Sequence, residues 1–337
     1  MDIPMYMTNF ITSYWGMYIA QSVIHSIIAS VIAECAILAW TIGSPQVKQS
    51  FRLMVIVLSL VSFPIYQFFV PHRGDVYFRL SSLLDSNRWF FIERWGSMPI
   101  FIVFTAILAI TVVIFIIQEL FPILSDLLRQ MRATTQSAPY EVDSEIRNKV
   151  AEALDGLPFD DRLVEIFDDD DLALFSSTGL KPMIYVSTGL ISSFSTEHLQ
   201  VALAHEVAHI QRSRKPLLIF AYLLRVLLFF NPVAMIEFRR LAHEEEKVCD
   251  DIAIELTGKP DTLSEAIEML RPAPEDYEDP GHRGAERLVS SIEYHSHDLL
   301  LRSRAARIGR PTQDGPFWGV PIIVAMALII CINYFVV

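Results

Sequence analysis

The sequence predicts an α-helical membrane protein with about four transmembrane helices and one α+β domain outside the bilayer. The chain of 337 residues is 52% hydrophobic and has a positive mean hydropathy, which is unusual for an ordinary soluble protein. Its longest apolar runs have about 20 residues or more, the length at which a helix crosses a bilayer. Most charged residues follow the third of these runs and precede the last one, where a soluble domain fits.

The apolar runs define four predicted spans in chain order: Met17–Ile42, Phe51–Val70, Met98–Leu124 and Phe317–Val337. A short polar link, Gly43–Ser50, separates the first two spans. We therefore predict three regions: a three-helix membrane region at 1–124, a soluble domain at 125–315 and a C-terminal membrane helix at 316–337.

Polar side chains inside the first span are costly at membrane depth. Gln21 and His25 lie four residues apart, so they share one face of a helix. We expect them to bond to a neighbouring helix, with a functional role as the less favoured alternative.

Charge and cysteine content exclude two classes of protein. The formal net charge of −12 argues against a nucleic-acid-binding protein, which would present a basic surface. The three cysteines suggest no disulfide framework, which fits a reducing compartment.

The distribution of Lys and Arg near the span ends predicts the orientation in a cell membrane. With the N-terminus outside, eight basic residues flank the spans on the cytoplasmic side: Lys48, Arg52, Arg129, Arg132, Arg302, Arg304, Arg307 and Arg310. Four basic residues then lie in the outer loop 71–97: Arg73, Arg79, Arg88 and Arg94. This excess predicts a multi-pass protein whose soluble domain faces the cytoplasm.

The soluble domain begins with a polar linker, 132–144, and a helix that ends near Leu154. Short strands follow at Leu163–Phe167 and Leu172–Phe175. The stretch Gly179–Ser187 is predicted as a turn followed by an edge strand, because Pro182 is tolerated at the start or edge of a strand. An extended substrate could pair with Ile184, Tyr185 and Val186 in such a strand. An ordinary strand without a ligand is an equally favoured interpretation.

The central motif is His205-Glu206-Val207-Ala208-His209, in a run of good helix formers with Ser195 as the predicted N-cap. Residues four apart project from one face of a helix, so both imidazoles can reach one Zn²⁺. Glu206 can act as the general base that takes a proton from the attacking water. We therefore predict a catalytic zinc site.

Two histidines leave such a site in need of a third protein ligand. We favour Glu246, because Asp250 lies four residues later on the same helix face and can support an imidazole N–H. Glu244 and Glu245 have no such partner, and His243 stays open as a substitute ligand. A third ligand of this kind predicts an α+β domain of the zincin type with a glutamate ligand, a gluzincin.

The apolar run Pro216–Phe230 lies between the histidines and the predicted third ligand. A single crossing of the bilayer would place His209 and Glu246 on opposite sides. We therefore predict that this run does not cross, but forms a buried, re-entrant or interface-lying helix close to the membrane surface.

These motifs resemble the BlaR/MecR family of integral-membrane zinc metalloproteases. The family has H-E-x-x-H, an Asn-Pro and E-x-x-C-D in this order, and the chain has His205 to His209, Asn231-Pro232 and Glu246 to Asp250. Arg307-Ile308 is also similar. The resemblance implies His205, His209 and Glu246 as zinc ligands and Glu206 as the catalytic base. It also implies a repressor as protein substrate, but no Ser-x-x-Lys motif of a penicillin-binding sensor is present.

Three functions are compatible with these residues. The first is a regulatory zinc metalloendopeptidase that cleaves a cytoplasmic or membrane-proximal protein, with a homodimer left open. The second is a quality-control protease similar to the HtpX and CAAX-prenyl protease group, and the third is a metal-bound receptor or scaffold without proteolysis. The oxyanion donor is not determined by the sequence, and five candidates remain: Tyr185, Arg212, Arg239, Arg240 and His243.

Overall fold

The computed structural model describes residues 13–70, 91–92, 98–121, 143–177, 182–213, 216–271, 298–308 and 319–336. Most of the predicted outer loop 71–97, most of the linker 132–144 and residues 272–297 lie outside this part of the chain.

The described residues are mostly helical. The helices are α1 (Tyr14–Ala39), α2 (Pro45–Phe69), α3 (Ile100–Phe115), α4 (Ser144–Leu154), α5 (Thr188–Ser193), α6 (Thr196–Ser213), α7 (Pro216–Leu227), α8 (Pro232–Thr257), α9 (Pro260–Met269), α10 (298–307) and α11 (Gly319–Phe335). A π-helical turn, Ile116–Leu120, extends α3. The strands are β1 (Phe91–Ile92), β2 (Met98–Pro99), β3 (Val164–Phe167), β4 (Leu174–Ser177) and β5 (Met183–Ser187).

The chain forms two compact units. The first, which we call the helical unit, contains residues 1–136, 217–244 and 313–337. The second, the mixed unit, contains residues 137–216 and 245–312. Helix α8 therefore contributes its first half to the helical unit and its second half to the mixed unit.

Two helices of the helical unit, α1 and α2, are long and apolar enough to cross a membrane. Helix α11 and most of α3 (Ile102–Phe115) are shorter apolar helices. The predicted link Gly43–Ser50 is wrong from Pro45 onward, because α2 already begins at that residue. Ser44 caps this helix through Val47 N, and proline favours the first helical position. These helix-start signals outweigh the polarity of the first turn.

Small side chains allow α1 to pack closely against its neighbours. Ala29, Ala33 and Ala36 recur on one face of α1 and are buried in a core with Phe51 of α2 and Ile329 of α11. Such small residues let helix backbones approach each other where no water drives the association.

Polar groups of α1 bond within the helical unit, as expected for His25 in the sequence. The ring of His25 is buried, and its Nε2 lies 3.1 Å from the carbonyl oxygen of Val336. The buried Asn231 caps α8 by accepting hydrogen bonds from two backbone N–H groups, and its amide also donates to Ser22 and accepts from Ser26. The Asn-Pro motif thus starts α8 and joins it to α1.

Two glutamates and two arginines form a charged cluster in the helical unit. Arg52 of α2 donates to Glu34 of α1 at 2.6 Å and to Glu237 of α8 at 3.2 Å. Arg240 of α8 also donates to both glutamates, and Ser30 donates to Glu237 at 2.7 Å. Because Glu237 and Arg52 are buried, this pairing is what makes their charges tolerable in an apolar unit.

A three-stranded sheet and the surrounding helices make up the mixed unit. The strand order is β3-β5-β4, with β3 parallel and β4 antiparallel to β5. The inner side chains of β5 pack against α4, α5, α6 and α9 in one hydrophobic core. This core fixes α6, the helix that carries the central motif.

The prediction of an edge strand within Gly179–Ser187 is wrong. Both backbone edges of β5 are paired, and within the described residues β3 and β4 are the outer strands. Ile184 and Val186 are fully buried, whereas Tyr185 stacks on Phe175 of β4 with ring centroids 5.1 Å apart. Pairing of a substrate backbone with β5 therefore has no free edge to use.

Candidate metal centre

Helix α6 brings the two histidines of the central motif together. Ser195 accepts a hydrogen bond from His198 N at 3.2 Å and so caps the helix. One side of α6, including Leu199, Leu203 and Val207, is buried in the core. The Nε2 atoms of His205 and His209 are 3.1 Å apart, so both imidazoles can bind the same metal ion.

Glu246 of α8 completes a group of three metal-ligating side chains. Its two carboxylate oxygens lie 3.5 Å from His205 Nε2 and 3.5 Å from His209 Nε2. One ligand atom from each residue lies within 4.8 Å of the other two. Among the described residues, no other group of histidine, cysteine or carboxylate side chains meets this condition.

The neighbours of Glu246 point elsewhere. Glu245 is buried and forms a bidentate ion pair with Arg212 of α6, in which Nη2 donates at 2.6 Å and Nε also contacts the carboxylate. Glu244 is buried, and His243 is exposed. The rotation of α8 therefore presents Glu246 to the histidines and places the other three outside the group.

Each histidine has a supporting group from α8 at its second nitrogen. Asp250 Oδ1 lies 3.1 Å from His205 Nδ1, although the ring N–H is not aligned for a well-formed hydrogen bond. Cys249 Sγ lies 3.5 Å from His209 Nδ1. Cys249 follows Glu246 by three residues, a spacing that places both near the same helix face and could have indicated this contact.

The residue that sequence reasoning missed is Arg304 of α10. Its guanidinium donates to both oxygens of Asp250 at 2.7 and 3.0 Å and to Glu246 at 2.9 Å. Its Nη2 also lies 3.2 Å from His205 Nε2. The sequence held one signal for this role: Arg304 follows Leu301 by three residues, so the two share a helix face. Both are buried in the structure, and a buried arginine requires carboxylate partners.

Opposing effects set the pKa values of the site. Burial alone would lower the pKa of His205, but the contacts with Asp250 and Glu246 raise it to about 9. Burial alone would raise the pKa of Glu246, but His205, Arg304 and His209 lower it to about 2. Burial and the charge of His205 lower the pKa of His209. Glu246 is therefore ionised at neutral pH, as a metal ligand must be.

The donor set fits a zinc ion. Two imidazole nitrogens and one carboxylate oxygen are the protein ligands of several catalytic zinc sites. In tetrahedral geometry with bonds of about 2.0–2.1 Å, ligand atoms are separated by roughly 3.3–3.4 Å. The measured separations of 3.1 and 3.5 Å lie on either side of that value.

Glu206 lies beside the first histidine and is half-buried. Its charge only partly opposes the burial and the charge of His205, which together lower the pKa of His209. Within the described part of the chain, the carboxylate of Glu206 has neither a hydrogen bond nor an ion pair to an arginine or lysine. It is thus available as a proton acceptor next to the three ligand candidates.

Several of the proposed oxyanion donors already have other partners. Arg212 pairs with Glu245, and Arg240 belongs to the charged cluster of the helical unit. The ring of Tyr185 stacks on Phe175.

Comparison with known proteins gives one result. No curated protein matches the chain. The sequence model of the BlaR1 peptidase M56 family matches residues 97–261. The matched segment contains α6 with His205, Glu206 and His209, and α8 with Glu246 and Asp250. Residues 97–261 are therefore similar to the BlaR1 peptidase M56 family, a family of metallopeptidases.

Proposed function

We propose that this chain is a membrane-embedded zinc metalloendopeptidase. The observation that carries the proposal is the convergence of His205, His209 and Glu246 from two helices, with Glu206 beside them. Zinc is the favoured ion because the donors are two imidazoles and one carboxylate. Asp250 would orient His205 through its second nitrogen.

Hydrolysis of a peptide bond follows from these roles. When bound, the metal supplies Lewis acidity, which polarises the scissile carbonyl and lowers the pKa of water to near 7. Glu206 takes the proton from the attacking water and passes it to the nitrogen of the leaving amine. His205, His209 and Glu246 keep their positions throughout because α6 and α8 are held by the core.

The membrane arrangement that we propose has four spans, with the N-terminus outside and the peptidase domain in the cytoplasm. It rests on the two long apolar helices α1 and α2, the shorter apolar helices α3 and α11, and the excess of basic residues on one side. Helix α7 has 12 residues and is therefore about 18 Å long. A helix of this length is too short to cross a hydrocarbon core of about 30 Å.

The substrate that we propose is a cytoplasmic or membrane-proximal protein, cleaved in regulatory signalling. The resemblance to the BlaR/MecR family favours a transcriptional repressor. A quality-control protease of the HtpX and CAAX-prenyl group is less favoured, because that group typically places membrane spans between the two halves of the site. A scaffold is less favoured because Glu206 is present and available for proton transfer.

The test compares new protein N-termini in cells that express the wild type and the Glu206→Gln variant. We expect fragments that appear only with the wild type, while both purified proteins carry the same amount of zinc. Glu197→Gln is a matched control, because Glu197 is an exposed glutamate on the same helix that pairs with Lys259. Identical N-termini in the wild type and Glu206→Gln would leave the scaffold as the better account.

A further inference from the structure

Arg304 is built into the site as tightly as the ligand candidates themselves. The residue is 8% exposed, and its side chain contacts Asp250, Glu246 and His205. It lies on α10, outside the residues that match the family model. No comparison assigns it a role.

Arg304 has more N–H groups than its carboxylate partners accept. A guanidinium has five N–H groups. Asp250 accepts two of them, from Nε and Nη2, and Glu246 accepts one from Nη1. The second N–H of Nη2 is directed at His205 Nε2. That nitrogen has a single lone pair, which serves either this N–H or a metal ion.

When His205 acts as a ligand, two N–H groups of Arg304 therefore lack an acceptor among the described residues. One belongs to Nη2 and one to Nη1. Both belong to a guanidinium whose other bonds to Asp250 and Glu246 fix its position. A fixed cationic donor beside a Lewis acid is what stabilises an oxygen that gains negative charge in a transition state.

We propose that Arg304 is the side chain that donates hydrogen bonds to the scissile carbonyl oxygen as its negative charge develops. This inference rests on the proposed peptidase function. Asp250 and Glu246 offset the repulsion between the guanidinium and a metal cation, because both carboxylates contact Arg304 directly. Asp250 thereby holds both His205 and the oxyanion donor.

The inference is tested on the full-length protein in detergent, loaded with Co²⁺ in place of zinc. The probe is acetohydroxamate, a small ligand with a charged oxygen, and its binding is followed by the visible spectrum of the cobalt ion. We expect Arg304→Gln to retain Co²⁺ and to bind the probe about 10- to 100-fold more weakly, which is the loss of a hydrogen bond to a charged group.

Two further variants separate this role from a structural one. Arg304→Lys keeps the positive charge without the fork of donors, so we expect it to recover part of the probe affinity. Arg307→Gln is the matched control: Arg307 lies on the same helix and bonds to Asp251 and the carbonyl of Lys247, away from the three ligand candidates. We expect it to bind the probe like the wild type.

The outcomes distinguish the inference from the proposed function. Unchanged probe affinity in Arg304→Gln, or loss of Co²⁺ by that variant alone, would overturn the proposed role of Arg304. The proposed peptidase function of the wild type would still stand. A wild type that binds no Co²⁺ at all would remove the proposed function, and the role of Arg304 with it.

Discussion

Asp250 Oδ1 lies 3.1 Å from His205 Nδ1, so a carboxylate of α8 contacts the imidazole of α6 at the nitrogen that does not face the other ligand candidates. The two residues share Arg304, which contacts both. The site is therefore a network of two helices and an arginine from a third.

The first prediction concerns Asp250. Asp250→Asn keeps the size of the side chain and removes the charge that supports His205 and binds Arg304. We expect metal affinity to fall about 10- to 100-fold, as for other supporting residues of metal sites. Titration against a chromophoric chelator measures this. Asp251→Asn is the control, because Asp251 bonds to Arg307 and contacts no ligand candidate; equal affinities in the two variants would contradict the prediction.

The second prediction separates Glu246 from Glu245. We expect Glu246→Gln to lose the metal, because its carboxylate is the third ligand of the proposed site. Glu245→Gln should keep one metal ion per chain but lower the free energy of unfolding by about 3–5 kcal/mol, because Arg212 loses its buried partner. Metal analysis and thermal unfolding of both variants measure the two effects. Metal loss in Glu245→Gln with retention in Glu246→Gln would reverse the assignment.

The third prediction concerns the charged cluster of the helical unit. Arg52→Met leaves Glu237 buried with less positive charge around it, and we expect a loss of several kcal/mol in stability. The double variant Arg52→Met, Glu237→Leu removes charges of both signs and should recover part of that loss. Unfolding in detergent measures both. If the loss of stability in the double variant equals the sum of the losses in Arg52→Met and in Glu237→Leu alone, the two residues do not interact.

The fourth prediction concerns Gly189 at the start of α5. A Cβ atom at this position would lie 2.2 Å from the backbone oxygen of Asp170, so the backbone at Asp169 and Asp170 packs directly on the glycine. We expect Gly189→Ala to lower the free energy of unfolding by about 1–3 kcal/mol. Gly319→Ala is the control, because nothing lies within 4 Å of a Cβ there. Equal melting temperatures for Gly189→Ala and the wild type would contradict the close contact between Gly189 and the backbone of Asp170.

Local patterns in the sequence predict much of this fold. The cap at Ser195, the spacing of His205 and His209, and the boundaries of α4 and β3 depend on residues close together in the chain. The spacing of Glu246 and Asp250 is also local, because one helical turn joins them.

Long-range pairing explains what the sequence does not reveal. The central position of β5 depends on partners on both sides, and a strand that begins after a proline has the same local pattern at an edge. Arg304 lies far along the chain from Asp250, so its contacts cannot be derived from spacing. The partners of Glu34 are likewise on α2 and α8.

The central claim is that His205, His209 and Glu246 hold one zinc ion, and X-ray absorption at the zinc edge tests it most directly. We expect two nitrogen ligands and further oxygen ligands at about 2.0–2.1 Å, and no zinc in His209→Ala or Glu246→Gln. A sulfur ligand at about 2.3 Å, which Cys249 would supply, or full zinc content in either variant would contradict the account.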